Sequence, residues 1–389
     1  MTHDNQITID QDPMQLILEH GMDGIRPALE TLFNMAMQVE RSNHLNARPY
    51  ERNEERIGHA NGFKDKKLNT RVGTLDLRIP QTRGTGTPFY PQALERGQRS
   101  EQALVIALAT MYINGVSTRK VTKILEEMCG TEVSSSMVSR ASATLDDQLS
   151  AWRERPLGEV LYLQLDARYE KVRVNGVSRS CAVLVATGVP PDGKRTVLGI
   201  SVSLSEAEVH WRDFLRSLKE RGMHGMKIIT SDSHEGLKAA LKATFSGIPW
   251  QRCQFHLQQN ASSHVPTVSA RPQVADRIRS IFNADDLNEA ETKLAALVAE
   301  HQESTPRLAD WLEQNIPEGL TVFSLPKSHQ KRLRTTNMVE RINQELKRRT
   351  RVVGIFPNEE SLLRLVSAIT MEISDEWEAA KRYLIISSE

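Results

Sequence analysis

Residues 158 to 254 constrain the fold more than any other part of the chain, because four strand-like runs there are punctuated by only two helical ones. "EVLYLQLDARYEKVRV", "SRSCAVLVATGV", "RTVLGISVS" and "MKIITSD" are short apolar or alternating runs rich in Val, Ile and Leu. Asn175-Gly176 and Asp192-Gly193 are two-residue turn signals between the first and second and the second and third runs. A helix fits between the third and fourth runs, from Glu206 to Arg221, with Trp211, Phe214, Leu215 and Leu218 on one face. Another helix, "HEGLKAALKATF", follows Asp232, and then the short "WQRC". Three hairpin-connected strands, a helix, a strand and a helix predict a mixed α/β sheet.

The flanks are helical. Residues 13 to 40 carry Leu16, Ile17, Ile25, Leu29, Leu32 and Phe33 near helical spacing, which predicts one amphipathic helix. The basic stretch from Arg48 to Arg71 reads as irregular. "RVGTLDLRIPQTR" alternates as a short strand that Pro80 should stop, and residues 84 to 100 read as a Gly- and Pro-rich linker. Residues 101 to 149 predict three helices, the third opened by the serines of "VSSSMVSRASATLDDQL". They resemble a helix-turn-helix in which Ser135, Ser136, Ser139 and Arg140 could face DNA, or equally a plain helical hairpin. Residues 257 to 330 return to helical periodicity, and a last helix should run from Glu359 to about Ile386. The expected organisation is an N-terminal helix with a small β and basic region (1–100) for DNA binding or dimerisation, and the three-helix segment (101–150). A sheet domain built from 151–256 and 331–389 would follow, with 257–330 inserted in it.

The chemistry-bearing residues lie where strands end. In the first run Leu161, Leu163 and Leu165 point one way and Tyr162, Gln164 and Asp166 the other. Asp232 closes the "MKIITSD" strand. A helix returning after the insertion could add Glu340. Three carboxylates can hold two Mg²⁺ (or Mn²⁺ in substitution) for in-line attack on a phosphodiester. Each acid also has a bland reading: Asp166 as a turn residue, and Asp232 to Glu235 and Asn337 to Glu340 as capping boxes. From Lys327 to Arg351 there are nine Lys or Arg against two acids, a local net charge of 9 − 2 = +7. The whole chain is only +1, so any polyanion surface is local. Stepping 100° per residue from Val339 puts Ile342 and Leu346 on a buried stripe. Glu340, Asn343 and Lys347 fall on one edge of that stripe and Glu345 on the far side, with Asn343 and Lys347 expected to touch substrate. Lys347, Arg348, Arg349 and Arg351 are the expected phosphate contacts.

"LDARYEKVRVNG", "SEAEVHWRDFLRSLKERG", "SDSHEGLKAAL", "WQRCQFHLQQN" and "RTTNMVERINQELKRRTRVVGIFPNEESLLRL" resemble the mutator-type transposases of bacterial insertion sequences, as does "NTRVGTLDLRIPQTRG". The resemblance implies an α/β ribonuclease-H-like catalytic domain with an all-α insertion, preceded by a mainly helical DNA-binding region. It implies a DDE triad at Asp166, Asp232 and Glu340 that cleaves and transfers DNA strands at terminal inverted repeats. The family more often has a glycine after the first Asp; Ala167-Arg168 stand here. Cys253 and His256 also match. Zinc needs four ligands and no second pair follows, so Cys253 should pack while His256 and Asn337 border the site. Trp311 is expected in a core, or stacked on a DNA base.

Two ends must be joined, so a homodimer acting on terminal repeats and target DNA is expected. No apolar run reaches a membrane span, the first residues are polar and acidic rather than an export signal, and Cys129, Cys181 and Cys253 lie far apart. A cytoplasmic, nucleoid-associated protein is the expectation. The competing classes are a non-catalytic DNA binder and a tyrosine recombinase using Tyr383 with the basic cluster from His329 to Arg332.

Overall fold

The computed structural model describes residues 12–94, 96, 99–113, 116, 118–129 and 134–386. The chain divides into two compact units, residues 1–144 and 145–389.

In the first unit the expected long helix is interrupted. Helix α1 (Pro13–His20) and helix α2 (Ile25–Leu45) are separated by a tight turn at Gly21–Gly24. The stretch read as irregular is a strand, β1 (His59–Thr70), paired antiparallel with β2 (Gly73–Arg83). Pro80 does not stop β2. It sits opposite Phe63 beside a register shift in a two-stranded ribbon, where a missing N–H is tolerated. Leu75, Leu77 and Ile79 of β2 pack with Met37 of α2, and Glu30 and Asn34 accept hydrogen bonds from the backbone N–H groups of Asp76 and Arg78. Helices α3 (Gln102–Ile113), α4 (Thr118–Cys129) and α5 (Ser135–Ala143) share a separate small core of Leu104, Leu108, Val121, Leu125 and Val138.

The helix expected over residues 133 to 149 breaks at Thr144-Leu145, and its second half is α6 (Asp146–Glu154). Helix α6 belongs to the second unit, where Asp146 and Arg153 bond to Arg364 and Ser367 of α15 (Glu359–Ala379). The sheet of this unit has five strands in the order β5-β4-β3-β6-β7. They are β3 (Tyr162–Val174), β4 (Val177–Val189), β5 (Thr196–Ser203), β6 (Ile228–Ser231) and β7 (Trp250–Arg252). The first three pair antiparallel, while β6 is parallel to β3 and β7 to β6. Asn175 (φ 51°) and Gly176 (φ 81°) both have positive φ, the mirror-image turn that matches strand twist, and this fixes the β3–β4 register.

One face of the sheet, with Leu163, Leu165, Leu184 and Leu198, packs on α7 (Glu208–Glu220) and α8 (Glu235–Thr244) through Trp211, Phe214, Leu215 and Leu237. The other face carries α14 (Asn337–Thr350) and α15. Between β7 and α14 the chain runs through α9 (Gln254–Ala261), α10 (Arg271–Phe282), α11 (Leu287–Gln302), α12 (Pro306–Asn315) and α13 (Lys327–Leu333). Helices α9 to α12 have their own core of Leu257, Val274, Ile278, Leu294, Leu308 and Leu312. The last helix stops at Ala379, short of the expected Ile386. No helix among the described residues is long and apolar enough to cross a membrane.

Candidate active site

The alternation of β3 sends Gln164, Asp166, Arg168 and Glu170 toward α14, and each makes a contact that seats the helix. Buried Gln164 donates to the Thr335 carbonyl at 2.9 Å and accepts from the Met338 N–H at 3.3 Å. Asp166 Oδ2 accepts from the Asn343 amide at 2.8 Å. Arg168 donates to the Asn343 carbonyl and pairs with Glu170 at 2.6 Å, and Glu170 accepts from Thr350 at 2.9 Å. These polar contacts fix α14 along β3, while Val339, Ile342 and Leu346 bury the stripe expected of them.

The two aspartates are neighbours by register. Gln164 of β3 pairs with Thr230 of β6, so Asp166, inside β3, and Asp232, just past the end of β6, each lie two residues beyond the last paired position of adjacent parallel strands. Asp232 Oδ1 accepts from the Ser233 N–H at 2.7 Å and lies 3.8 Å from His256 Nδ1, which the first turn of α9 supplies after β7. Burial pushes the Asp166 carboxyl up to about 6, helped by the negative charges of Asp232 and Glu206 and opposed by the Ala167 N–H and His256. Cys253, chiefly, and then the two aspartates pull the His256 imidazole up to about 9 against its burial. Burial alone would raise the Cys253 thiol, but its contacts with His256 and Thr336 outweigh that and lower it.

Neither capping box forms. Helix α8 begins at His234 and α14 at Thr336 in the N-cap position, with no side-chain cap in either case. Gln164 of the sheet takes the Met338 N–H instead. Glu340 is therefore not used as a cap: its Oε1 is buried without any hydrogen-bond partner, as are Asn343 Oδ1 and His256 Nδ1. A buried carboxylate oxygen with no donor is costly unless something positive reaches it. The set of Asp166, Asp232 and Glu340 offers only hard oxygen donors, which suits a divalent cation such as Mg²⁺. As the side chains stand, no group of three His, Cys, Asp or Glu among the described residues converges on one ion position. The amide of Asn343 donates to Asp166 Oδ2.

Glu206, on the loop between β5 and α7, was not singled out from the sequence. It faces His234 at 3.8 Å and adds its charge to the field at Asp166. Gly236 lets that loop close on α8, because a Cβ there would lie 2.3 Å from the Glu206 carbonyl oxygen. No motif marks Glu206; only strand order brings it near.

The family model described as Transposase, Mutator family matches residues 2–380. The chain belongs to the mutator family of transposases. Among its relatives is the transposase of insertion sequence element IS406 from Burkholderia multivorans, 55% identical over 370 residues and 95% of each chain. The transposase of IS256 in Tn4001 from Staphylococcus aureus is 36% identical over 386 residues, covering 97% of each chain. That of IS1081 from Mycobacterium tuberculosis is 35% identical over 386 residues, covering 99% of this chain and 92% of the other. A chain of a simian T-cell lymphotropic virus intasome in complex with the PP2A regulatory subunit B56 gamma covers 53% of this chain and 66% of its own at 12% identity. Its TM-score of 0.19 adds nothing to the fold.

The other residues of this mutator-family chain picked out from sequence differ in their surroundings. Lys347 and Arg351 are exposed on α14 and the turn after it. Arg348 is exposed but tied to Glu345 at 2.8 Å, and Glu345, whose place on the far side of the helix leaves it solvent or the Arg341 and Arg349 side chains to face, meets Arg348 and Arg349. Arg349 departs from expectation: it is 7% exposed and its guanidinium is bound to Glu372 of α15 at 2.5 Å, so it clamps two helices rather than waiting for phosphate. Asn343 likewise binds Asp166 rather than standing open to substrate. Trp311 stacks on His264 at 5.1 Å at the edge of the helical core, and Cys253 is fully buried beneath Thr336. Ser136 and Arg140 are exposed on α5, while the side chains of Ser135 and Ser139 lie outside the described residues.

Proposed function

We propose that the chain is a DDE transposase whose second unit is a ribonuclease-H-like nuclease and strand-transfer domain. Asp166, Asp232 and Glu340 are its catalytic carboxylates. The observation that carries the reading is the juxtaposition of Asp166, which lies inside β3 and not at its end as expected, with Asp232 just past the end of the parallel strand β6, with the unpartnered Glu340 presented by the helix laid along β3. The strand order, with three antiparallel strands followed by two parallel ones, is the ribonuclease-H-like order and supports it.

Asp166, Asp232 and Glu340 would hold two Mg²⁺, which supply a nucleophile at neutral pH and charge stabilisation at the leaving oxygen. The chain's own groups prepare that place. Asn343 orients Asp166, Gln164 sets the depth of α14, and the protonated His256 offsets part of the negative charge beside Asp232. Lys347 and Arg351 lie further along α14, where phosphates of bound DNA would pass. Residues 1–144 carry recognition of the terminal inverted repeats, with α5 and the basic β1 as contact surface, and two copies of the chain join two ends.

A tyrosine recombinase would need Tyr383 as nucleophile. Tyr383 does lie beside Arg332, but burial pushes its phenol up, and both ring nitrogens of His329 are engaged, with Tyr162 at 2.8 Å and the Ile385 carbonyl at 2.9 Å. The test is cleavage of end DNA by purified full-length protein in Mg²⁺. Asp166→Asn, Asp232→Asn and Glu340→Gln should each bind ends and fail to cut. Retained cutting by any one removes that residue from the site, and a covalent phosphotyrosyl adduct would transfer the assignment to Tyr383.

A further inference from the structure

On the flank of α14 away from Asn343 lies a cavity of about 500 Å³ lined by Arg195, Lys331, Arg332, Asn337 and Tyr383. Four separate segments build it: the residue before β5, the end of α13, the start of α14 and the chain after α15. Arg195 lies over Trp377 at 4.6 Å and over Tyr383 at 5.1 Å, and Arg332 lies over Tyr383 at 4.7 Å. The ring therefore braces two guanidiniums in place, at low entropy cost for a ligand that needs both. Burial depresses Arg195, and the positive charges of Arg341 and Arg332 depress it further. Among the described residues, no carboxylate forms an ion pair with Arg195, Lys331, Arg332 or Arg341. Arg348 and Arg349 of α14, by contrast, have Glu345 and Glu372. Like charges held together without a counter-charge indicate that the missing partner is an anion brought from outside.

The geometry points to a phosphate-binding subsite here, distinct from the carboxylate cluster. Arginine forks match the oxygens of a phosphate monoester or diester, and the start of α14 adds the positive end of its dipole. Met338 in the cavity lining bonds through its N–H to Gln164, two residues of strand, or about 7 Å, before Asp166. Asn337 and Arg341 point about 60–100° round α14 from Glu340 and about 120–160° from Asn343. A phosphate in this cavity is therefore not the one being cut. Resting on the reading of the chain as an enzyme acting on DNA, the subsite grips a backbone phosphate of the same DNA away from the reacting bond.

The experiment is residue-level footprinting of the full chain. Lys331 and Arg332 are acylated or modified with phenylglyoxal, alone, with a 40-bp duplex, and with inorganic phosphate, and read by mass spectrometry. Exposed Lys219 on α7, on the opposite face of the sheet, is the internal reference. Several-fold protection of Lys331 and Arg332 by duplex is expected. The double variant Lys331→Gln, Arg332→Gln, both exposed and so tolerated by the fold, should lower the slope of log affinity against log salt by about 0.9 for each phosphate it no longer neutralises. Protection by inorganic phosphate and not by duplex assigns the subsite to a free anion. Protection by neither, or protection with an unchanged salt slope, overturns it. Asp166→Asn that still cuts DNA would sink the DDE reading and leave these footprints untouched, so the two failures are separable.

Discussion

Replacing Asp166 with Asn should make the metal-free protein more stable, and the excess should grow with pH. The Asp166 carboxyl is raised from its ordinary 3.8 to about 6, chiefly by burial. The folded state therefore binds the proton more tightly than the unfolded one. Stability from this group is fully present below about pH 4 and is lost as pH rises through 6. At about 1.4 kcal/mol per pH unit, ionised Asp166 costs the fold on the order of 3 kcal/mol at pH 8 and about half that at pH 5. Asn never ionises. Its amide is also accommodated, because Asn343 Oδ1 is buried without a partner and can accept from it once the Asn343 amide flips. All five tryptophans, from Trp152 to Trp377, lie in the second unit, so their fluorescence reports its unfolding alone. In EDTA, Asp166→Asn should melt roughly 6–12 °C above wild type at pH 8, with a smaller gap at pH 5. Mg²⁺ or Mn²⁺ should raise wild type and leave the variant unmoved. Parallel curves across pH, or a variant less stable than wild type, would refute the electrostatic reasoning.

Glu345→Gln should keep strand cleavage and change stability by less than about 1 kcal/mol, since it loses only surface pairs with Arg348 and Arg349. Activity lost in Glu345→Gln but kept in Glu340→Gln would reverse the two assignments. Arg349→Ala should destabilise the second unit by about 1–3 kcal/mol in urea, below the range for a fully buried pair because Glu372 is 41% exposed; Arg348→Ala should cost far less. Cys253→Ser should move the His256 titration, followed by NMR, down from about 9 toward 6.5, and an unmoved midpoint would assign the shift to the aspartates. Gly236→Ala should cost about 1–3 kcal/mol and displace Glu206, because the clash is with backbone; a neutral substitution would mean the loop gives way freely.

The sheet of the second unit was legible because its strands are apolar runs bounded by the turn dipeptides Asn175-Gly176, which forms a mirror-image turn, and Asp192-Gly193, which forms a different one with only Gly193 at positive φ. Strand β1 was not: only its last residues are buried, so "HANGFKDKKLNT" shows no alternation, and it is a strand because β2 pairs with it. Pro80 misled for a related reason, since a two-stranded ribbon has no inner strand whose ladder it could break. On α14, helical geometry put the Val339, Ile342 and Leu346 stripe on the sheet, and Glu345 on the side where it meets Arg348 and Arg349. Arg349 was misread because a basic run in sequence says nothing of Glu372, which arrives 23 residues later on another helix. Gln164 escaped notice because a buried glutamine on a strand looks like any solvent-facing one until α14 lies over it.

The helical block between β7 and α14 has a consequence in time. During synthesis the first unit ends at Thr144 and Glu340 follows 340 − 144 = 196 residues later, a delay of about 10–40 s at 5–20 residues per second. For the last 340 − 232 = 108 residues of it, about 5–22 s, the nascent chain owns a complete first unit and both aspartates but no α14 to lay along β3. Any product released early, by a frameshift or a nonsense codon between residues 232 and 340, stays in that state permanently. The third carboxylate thus acts as a receipt for finished translation.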